Sequence, residues 1–83
     1  MIQAVRVEGV EVRRVSDGEI VSTPDGMAHY LNAMASLIYE LADGRETSSI
    51  ARSVSTIFDL SSSEAIKLVE QSLAELKVRG LVN

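Results

Sequence analysis

MAHYLNAMASLIYEL, residues 27–41, contains the change of period on which the fold turns. Up to Leu31 the side chains alternate: Met27, His29 and Leu31 share one face and Ala28 and Tyr30 the other, the period of a strand. Beyond Asn32, residues Met34, Leu37, Ile38 and Leu41 recur at i, i+3, i+4 and i+7, the single apolar stripe of a half-buried helix. Asn32 stands at the junction, where its side-chain oxygen can accept a free N–H of the first helical turn. Strand, cap and helix therefore follow one another without a linker.

The same reading extends in both directions. Upstream, Val5, Val7, Val10 and Val12 alternate with Arg6, Glu8, Glu11 and Arg13, and Gly9 interrupts them as a bulge or bend. A strand is expected over 10–15. Ser16-Asp17-Gly18 signals a turn, with a short strand expected over 19–22. Thr23-Pro24-Asp25-Gly26 signals a second turn, because proline presets φ and glycine accepts a positive one. The third strand, 27–31, completes an antiparallel meander and lies at its edge.

Downstream, Asp43-Gly44 ends a first helix over 33–43, with Gly44 in the left-handed C′ position. Thr47 is the expected N-cap of a second helix, 48–58, that buries Ile50, Ala51, Val54, Ile57 and Phe58. Ser61 and Glu64 have the S-x-x-E spacing of a capping box. They open a third helix, 62–79, with a core stripe of Ile66, Val69, Leu73 and Leu76. Gly80 ends it, and the apolar Leu81 and Val82 should fold back onto the domain. The fold class is α+β: a winged helix-turn-helix with a three-stranded antiparallel sheet followed by three helices, forming one domain over 1–83.

Composition narrows the function. The 83 residues are 46% hydrophobic and include no cysteine, one histidine and one proline. Disulfides and cysteine-based zinc sites are excluded, and nothing in the sequence calls for a metal or cofactor. The small core must hold by packing, or with help from a partner. Arg6, Glu8 and Glu11 break up any apolar run between Met1 and Val12, so a signal peptide is not expected and the cytoplasm is the default location. No stretch has the apolar length of a membrane span. The serines (48, 49, 53, 55, 61, 62, 63 and 72) have no general base at a meaningful spacing, so no catalytic residue is expected.

Helix-turn-helix beside a small sheet suggests DNA, but the charge argues against it. Eight Lys+Arg against twelve Asp+Glu give a net −4. From Ser61 to Arg79, Glu64, Glu70 and Glu75 balance Lys67, Lys77 and Arg79. A neutral recognition helix on an acidic domain offers little to a phosphate backbone, and no Asn, Arg or Lys cluster stands near its N-terminus to read bases. A winged-helix DNA-binding regulator remains an alternative by shape alone. An acyl-carrier-like protein is the other alternative, since Asp59-Leu60-Ser61 resembles a carrier attachment site. Its residue order is wrong, though, and carriers are all-helical.

Tyr30-Leu31-Asn32, an apolar helix ending in Asp43-Gly44, then Thr47 and Ile50, and a last helix closing on Leu76 with Gly80-Leu81-Val82 together resemble the PqqD-like family. These are the RiPP recognition elements of ribosomally made, modified peptide pathways. The resemblance covers about residues 10–82 and leaves Met1–Gly9 unexplained. It implies a non-catalytic domain that binds the leader segment of a precursor peptide and presents it to a separate modifying enzyme, such as a radical enzyme or a peptidase. It also implies that the leader adds as a strand beside the third strand, in a groove against the third helix. Neither nucleic acid nor a membrane is an expected partner, and the domain would be a monomer or weak homodimer.

Strand addition takes its affinity from the unpaired backbone of an edge and its specificity from side-chain pockets. The expected binding residues are Met27, Ala28, His29, Tyr30 and Leu31, through their backbone, with Ala65, Leu68, Ser72 and Arg79 on one flank of the third helix. Leu68 is apolar yet off the core stripe, Ala65 and Ser72 are small enough to leave a groove, and Arg79 could meet a leader carboxylate. Lys67, Glu70, Ala74 and Lys77 on the opposite flank, and the Arg13-Arg14 pair, read as solvated faces. The side chains of His29, Met27 and Met34 read as structural.

Overall fold

The change of period at Asn32 is a direct strand-to-helix junction in the computed structural model, which describes residues 4–83. The elements are β1 (Glu11–Val15), β2 (Gly18–Ser22), β3 (Ala28–Asn32), α1 (Ala33–Leu41), α2 (Thr47–Phe58) and α3 (Ser62–Val78). The strands form one antiparallel sheet in the order β1-β2-β3, which leaves β1 and β3 as its edges. The expected fold class, a three-stranded sheet followed by three helices, is the one found.

Turn chemistry sets the sheet. Ser16 and Asp17 alone separate β1 from β2, so Val15 pairs with Gly18. Gly18 has no room for a side chain, since a Cβ there would lie 2.0 Å from the Leu31 carbonyl oxygen on β3. In the second turn the Gly26 N–H donates to the Thr23 carbonyl at 3.0 Å, and the Thr23 N–H closes the hairpin on the Met27 carbonyl at 2.8 Å.

Helix ends follow local chemistry, with two corrections to the sequence reading. Asn32 accepts the Ala35 N–H, and Ser61 and Glu64 form the full capping box. At the end of α3, Gly80 takes a positive φ of 76° while its N–H reaches Lys77 and that of Leu81 reaches Leu76. This Schellman motif turns Leu81 and Val82 into the core, as expected for the tail. Thr47, however, is the first helical residue of α2, and Glu46 occupies the cap without a side-chain bond. α1 stops at Leu41 with Ala42 as its cap, so the left-handed Gly44 lies one position beyond C′. There its N–H donates to the Ala4 carbonyl at 3.0 Å.

That bond belongs to a feature absent from the sequence reading. Of the unexplained Met1–Gly9, residues 1–3 lie outside the described residues. The rest does not extend β1: Gly9 lies in a turn, and Val5 and Arg6 bridge Asp43 and Val82. The segment runs between the end of α1 and the C-terminal tail. The Arg6 guanidinium donates to the Tyr39 carbonyl at 3.4 Å and to that of Glu40, serving as a cationic cap for a helix with no basic residue in its last turn.

Between the sheet and the helices sits a core of Val21, Leu31, Ile38, Tyr39, Ile50, Val54, Val69, Leu76 and Leu81, with small Ala42, Ala51 and Ala65. Three expected stripes are displaced. On α1, Ser36 and Tyr39 are buried with Ile38, because the Ser36 hydroxyl donates to Glu19, a buried carboxylate on the helix side of β2. On α2, Ile57 is 62% exposed at the margin of the stripe. On α3 the buried line is Ala65, Val69 and Leu76, with Ile66 and Leu73 partly buried beside it. At 100° per residue, that centre is rotated by about 40° from the expected one, toward the flank of Ser72 and Arg79.

Candidate functional site

β3 presents an open backbone edge because β2 covers only its other side. The Thr23–Met27 bond fixes which groups point outward. Met27 faces β2, so the alternation of an antiparallel ladder turns His29 and Leu31 toward β2 and Ala28 and Tyr30 away from it. The Tyr30 carbonyl accepts the Arg79 guanidinium from that outer side at 3.4 Å. Two N–H groups and two carbonyls, on Ala28 and Tyr30, thus form a short template for another strand.

A cavity of about 230 Å³ lies between this edge and α3. β3 contributes Tyr30, Leu31 and Asn32 to it, α1 contributes Ala35, and α3 contributes Ser72, Glu75, Leu76 and Arg79. Arg79 also lines a second cavity of about 430 Å³, at the start of β3, with Pro24, Asp25, Met27, His29 and Val78. Met27 and Val78 there are 56% and 88% exposed, apolar surface without an internal partner. The two cavities make one trough along β3, divided by the Arg79 side chain.

Electrostatics in the trough are nearly balanced. Arg79 pairs with Glu75 one turn earlier, an ion pair open to solvent and correspondingly weak. At the second cavity the Thr23 hydroxyl, opposed by partial desolvation, holds the Asp25 carboxyl below its usual range. The Tyr30 phenol donates to the Asp17 carbonyl at 3.4 Å, and hydrogen bonding to Asp17 raises its pKa. This bond holds the ring, 48% exposed, over the outer face of the sheet.

Of the residues expected at the site, Tyr30, Leu31, Ser72 and Arg79 line the first cavity and Met27, His29 and Arg79 the second. Ala28 supplies edge backbone. Leu68 shares the α3 flank one turn before Ser72; it is half-buried and lines neither cavity. Ala65 is a correction. The rotation of α3 makes it fully buried, so it is a core residue and not part of a groove wall. The same rotation brings in Glu75, which sequence reasoning missed although its i, i+4 spacing from Arg79 marked the pair. Asn32, Ala35 and Val78 were missed too. Ser61, the serine of the carrier-like tripeptide, is committed to the capping box with Glu64.

Among the described residues no group of three or more His, Asp or Glu side chains is gathered as a metal site, and no helix is long and apolar enough to cross a membrane.

The family model for coenzyme PQQ synthesis protein D (PqqD) matches residues 17–82. No curated protein matches the chain in sequence. Among solved structures, TbiB1 in complex with the TbiA(beta) leader peptide superposes with a TM-score of 0.82 at 16% identity, over 95% of this chain and 94% of that one. Lasso peptide synthetase B1 complexed with the leader peptide gives 0.82 at 19% identity, over 98% of both chains. The PqqD truncation of Methylobacterium extorquens PqqCD, a stand-alone RiPP recognition element, gives 0.78 at 20% identity, over 96% of this chain and 87% of that one. Identities this low speak for a shared fold.

Proposed function

The chain belongs to the family of coenzyme PQQ synthesis protein D (PqqD), and on that footing we propose that it is a non-catalytic peptide-binding protein that captures the leader of a ribosomal precursor peptide and presents it to a separate modifying enzyme. The leader adds to β3 as a fourth strand. Its backbone pairs with Ala28 and Tyr30, and its side chains alternate between solvent and the trough against α3. The observation that carries this reading is the open β3 edge lying directly over a cavity walled by Ser72, Glu75, Leu76 and Arg79. Two of the solved structures with this fold, TbiB1 and lasso peptide synthetase B1, are complexes with leader peptides.

The trough explains how specificity arises without many charges. An apolar leader residue fits over Met27 and Val78, where exposed hydrophobic surface would be covered. An acidic leader residue competes with Glu75 for Arg79, releasing the Tyr30 carbonyl for pairing. Leu68 extends the flank for a longer leader. The modifying enzyme then acts on the core segment beyond the leader. The setting is the cytoplasm, where ribosomal precursors are made.

An NMR titration of the labelled domain with the leader of a precursor peptide encoded beside it tests the reading. Saturable shifts should map to residues 27–31 and to the Leu68–Arg79 flank of α3. Spectra unchanged by every candidate leader, or shifts confined to another face, would refute it.

A further inference from the structure

The sheet has a second edge that the leader reading leaves idle. Among the described residues β1 (Glu11–Val15) borders β2 alone, and residues 11–14 are exposed. Its two-residue hairpin makes Val15–Gly18 a bond-exchanging pair, so Arg13 and Glu11 also face β2 while Val12 and Arg14 point their backbone outward. Among the described residues, no backbone group from outside the sheet pairs with Val12 or Arg14.

The side chains on this edge complement themselves. Glu11 and Arg13 share one face of β1 and neither is in an ion pair among the described residues. Val12, on the helix side, is 48% exposed beside a concavity of about 910 Å³ that Val5, Val7 and Val10 also line.

We propose that β1 is the surface through which two copies of this chain associate, antiparallel about a two-fold axis at Val12. In that register Val12 exchanges backbone bonds with the partner's Val12. Glu11 lies opposite the partner's Arg13, and Arg13 opposite the partner's Glu11. These are non-hydrogen-bonded positions, where side chains across the ladder come closest. Moving the axis to Arg13 would set two arginines face to face, so charge selects the first register. The product is a six-stranded sheet whose outer edges are the two β3 strands, both troughs remaining open. It also covers Val12, which is half exposed among the described residues. A lone edge strand with two arginines is ordinarily read as protected against pairing; here the neighbouring Glu11 turns the same charges into a self-complementary pattern.

Sedimentation analysis of the chain without peptide tests the proposal and is independent of the leader reading. The wild type should reach twice the 9.0 kDa of one chain as concentration rises. Glu11→Arg and Arg13→Glu should each weaken association about tenfold or more, since like charges would then face one another twice. The double variant Glu11→Arg/Arg13→Glu should restore it, because the pairs are re-formed with their signs exchanged. In the wild type, exchange of the Val12 amide should slow as concentration rises, a readout that needs no variant. A single 9.0 kDa species at every concentration, single variants that associate like the wild type, or a folded double variant that stays monomeric would each overturn the proposal.

Discussion

Proline substitution on β3 separates strand addition from every other mode of binding, because the parity of the strand gives neighbouring positions opposite roles. The Ala28 N–H points away from β2 and the His29 N–H toward it. Ala28→Pro therefore removes a donor the folded domain does not use and places the pyrrolidine Cδ where a leader carbonyl would sit. Proline is tolerated on edge strands in this orientation. His29→Pro breaks the ladder to β2 and should unfold the sheet. The outward edge offers four backbone groups, two on Ala28 and two on Tyr30. Losing one bond outright and its neighbour by obstruction removes two of them, at about 0.5–1.5 kcal/mol each. Leader affinity should fall about 5- to 150-fold, the range that about 1–3 kcal/mol corresponds to. Isothermal titration calorimetry with the leader, beside a thermal melt, measures both quantities. A folded Ala28→Pro domain that binds the leader as tightly as the wild type would refute strand addition at this edge.

Three further outcomes are expected. Leu68→Glu should weaken leader binding with little loss of stability, since Leu68 does not pack on the buried core, whereas Ala65→Leu should overpack the core and cost about 1–3 kcal/mol in chemical denaturation. Arg6→Ala should lower stability by about 1 kcal/mol in the same assay, because the last carbonyls of α1 lose their cation, and leader affinity should not change. Stability should also fall in acid. The Ser61 hydroxyl and then the Ser61 N–H hold the Glu64 carboxyl below its ordinary value of 4.5, with desolvation opposing them. A lowered folded pKa gives stabilisation that is complete above the ordinary value and lost as pH drops through the folded one. Asp43, bound by Arg45, and Asp25, bound by Thr23, act in the same sense. Glu64→Gln keeps an acceptor in the box and should flatten part of the fall that sets in as pH drops below the ordinary carboxylate value, read in denaturation midpoints.

The elements were legible because their determinants are local. Asn32 caps the residue three positions on, Ser61 and Glu64 close a box within one turn, and Thr23-Pro24-Asp25-Gly26 makes its own bonds. The long-range contacts were not. Arg6 meets Tyr39 and Glu40 more than thirty residues away, and its segment read as strand because isolated bridges can carry the same alternation as a ladder. The buried Glu19 was hidden for a similar reason. A carboxylate on a strand of mixed pattern reads as solvated until Ser36, on a helix packed over it, supplies the donor.

At one expected site residue, Ala65, the structure departs from the sequence reading, and the departure follows from the packing of α3. Apolar bulk places the stripe on Ile66 and Leu73, the larger side chains. A helix packed on two other helices, α1 and α2, instead presents a small side chain where the backbones must approach most closely, and on α3 that is Ala65, with no exposed surface. Turning the helix to bury an alanine brings Ser72, Glu75 and Arg79 over the β3 edge, which is what gives Arg79 its reach to the Tyr30 carbonyl. An uncovered edge invites pairing with any strand, so a domain that must wait for one peptide benefits from a cover that is weak and replaceable. An exposed ion pair and a 3.4 Å bond meet that condition, because together they cost an incoming strand less than the backbone bonds it gains. The rotation that buries Ala65 is thus also what places Arg79 as a weak, replaceable cover on the Tyr30 carbonyl.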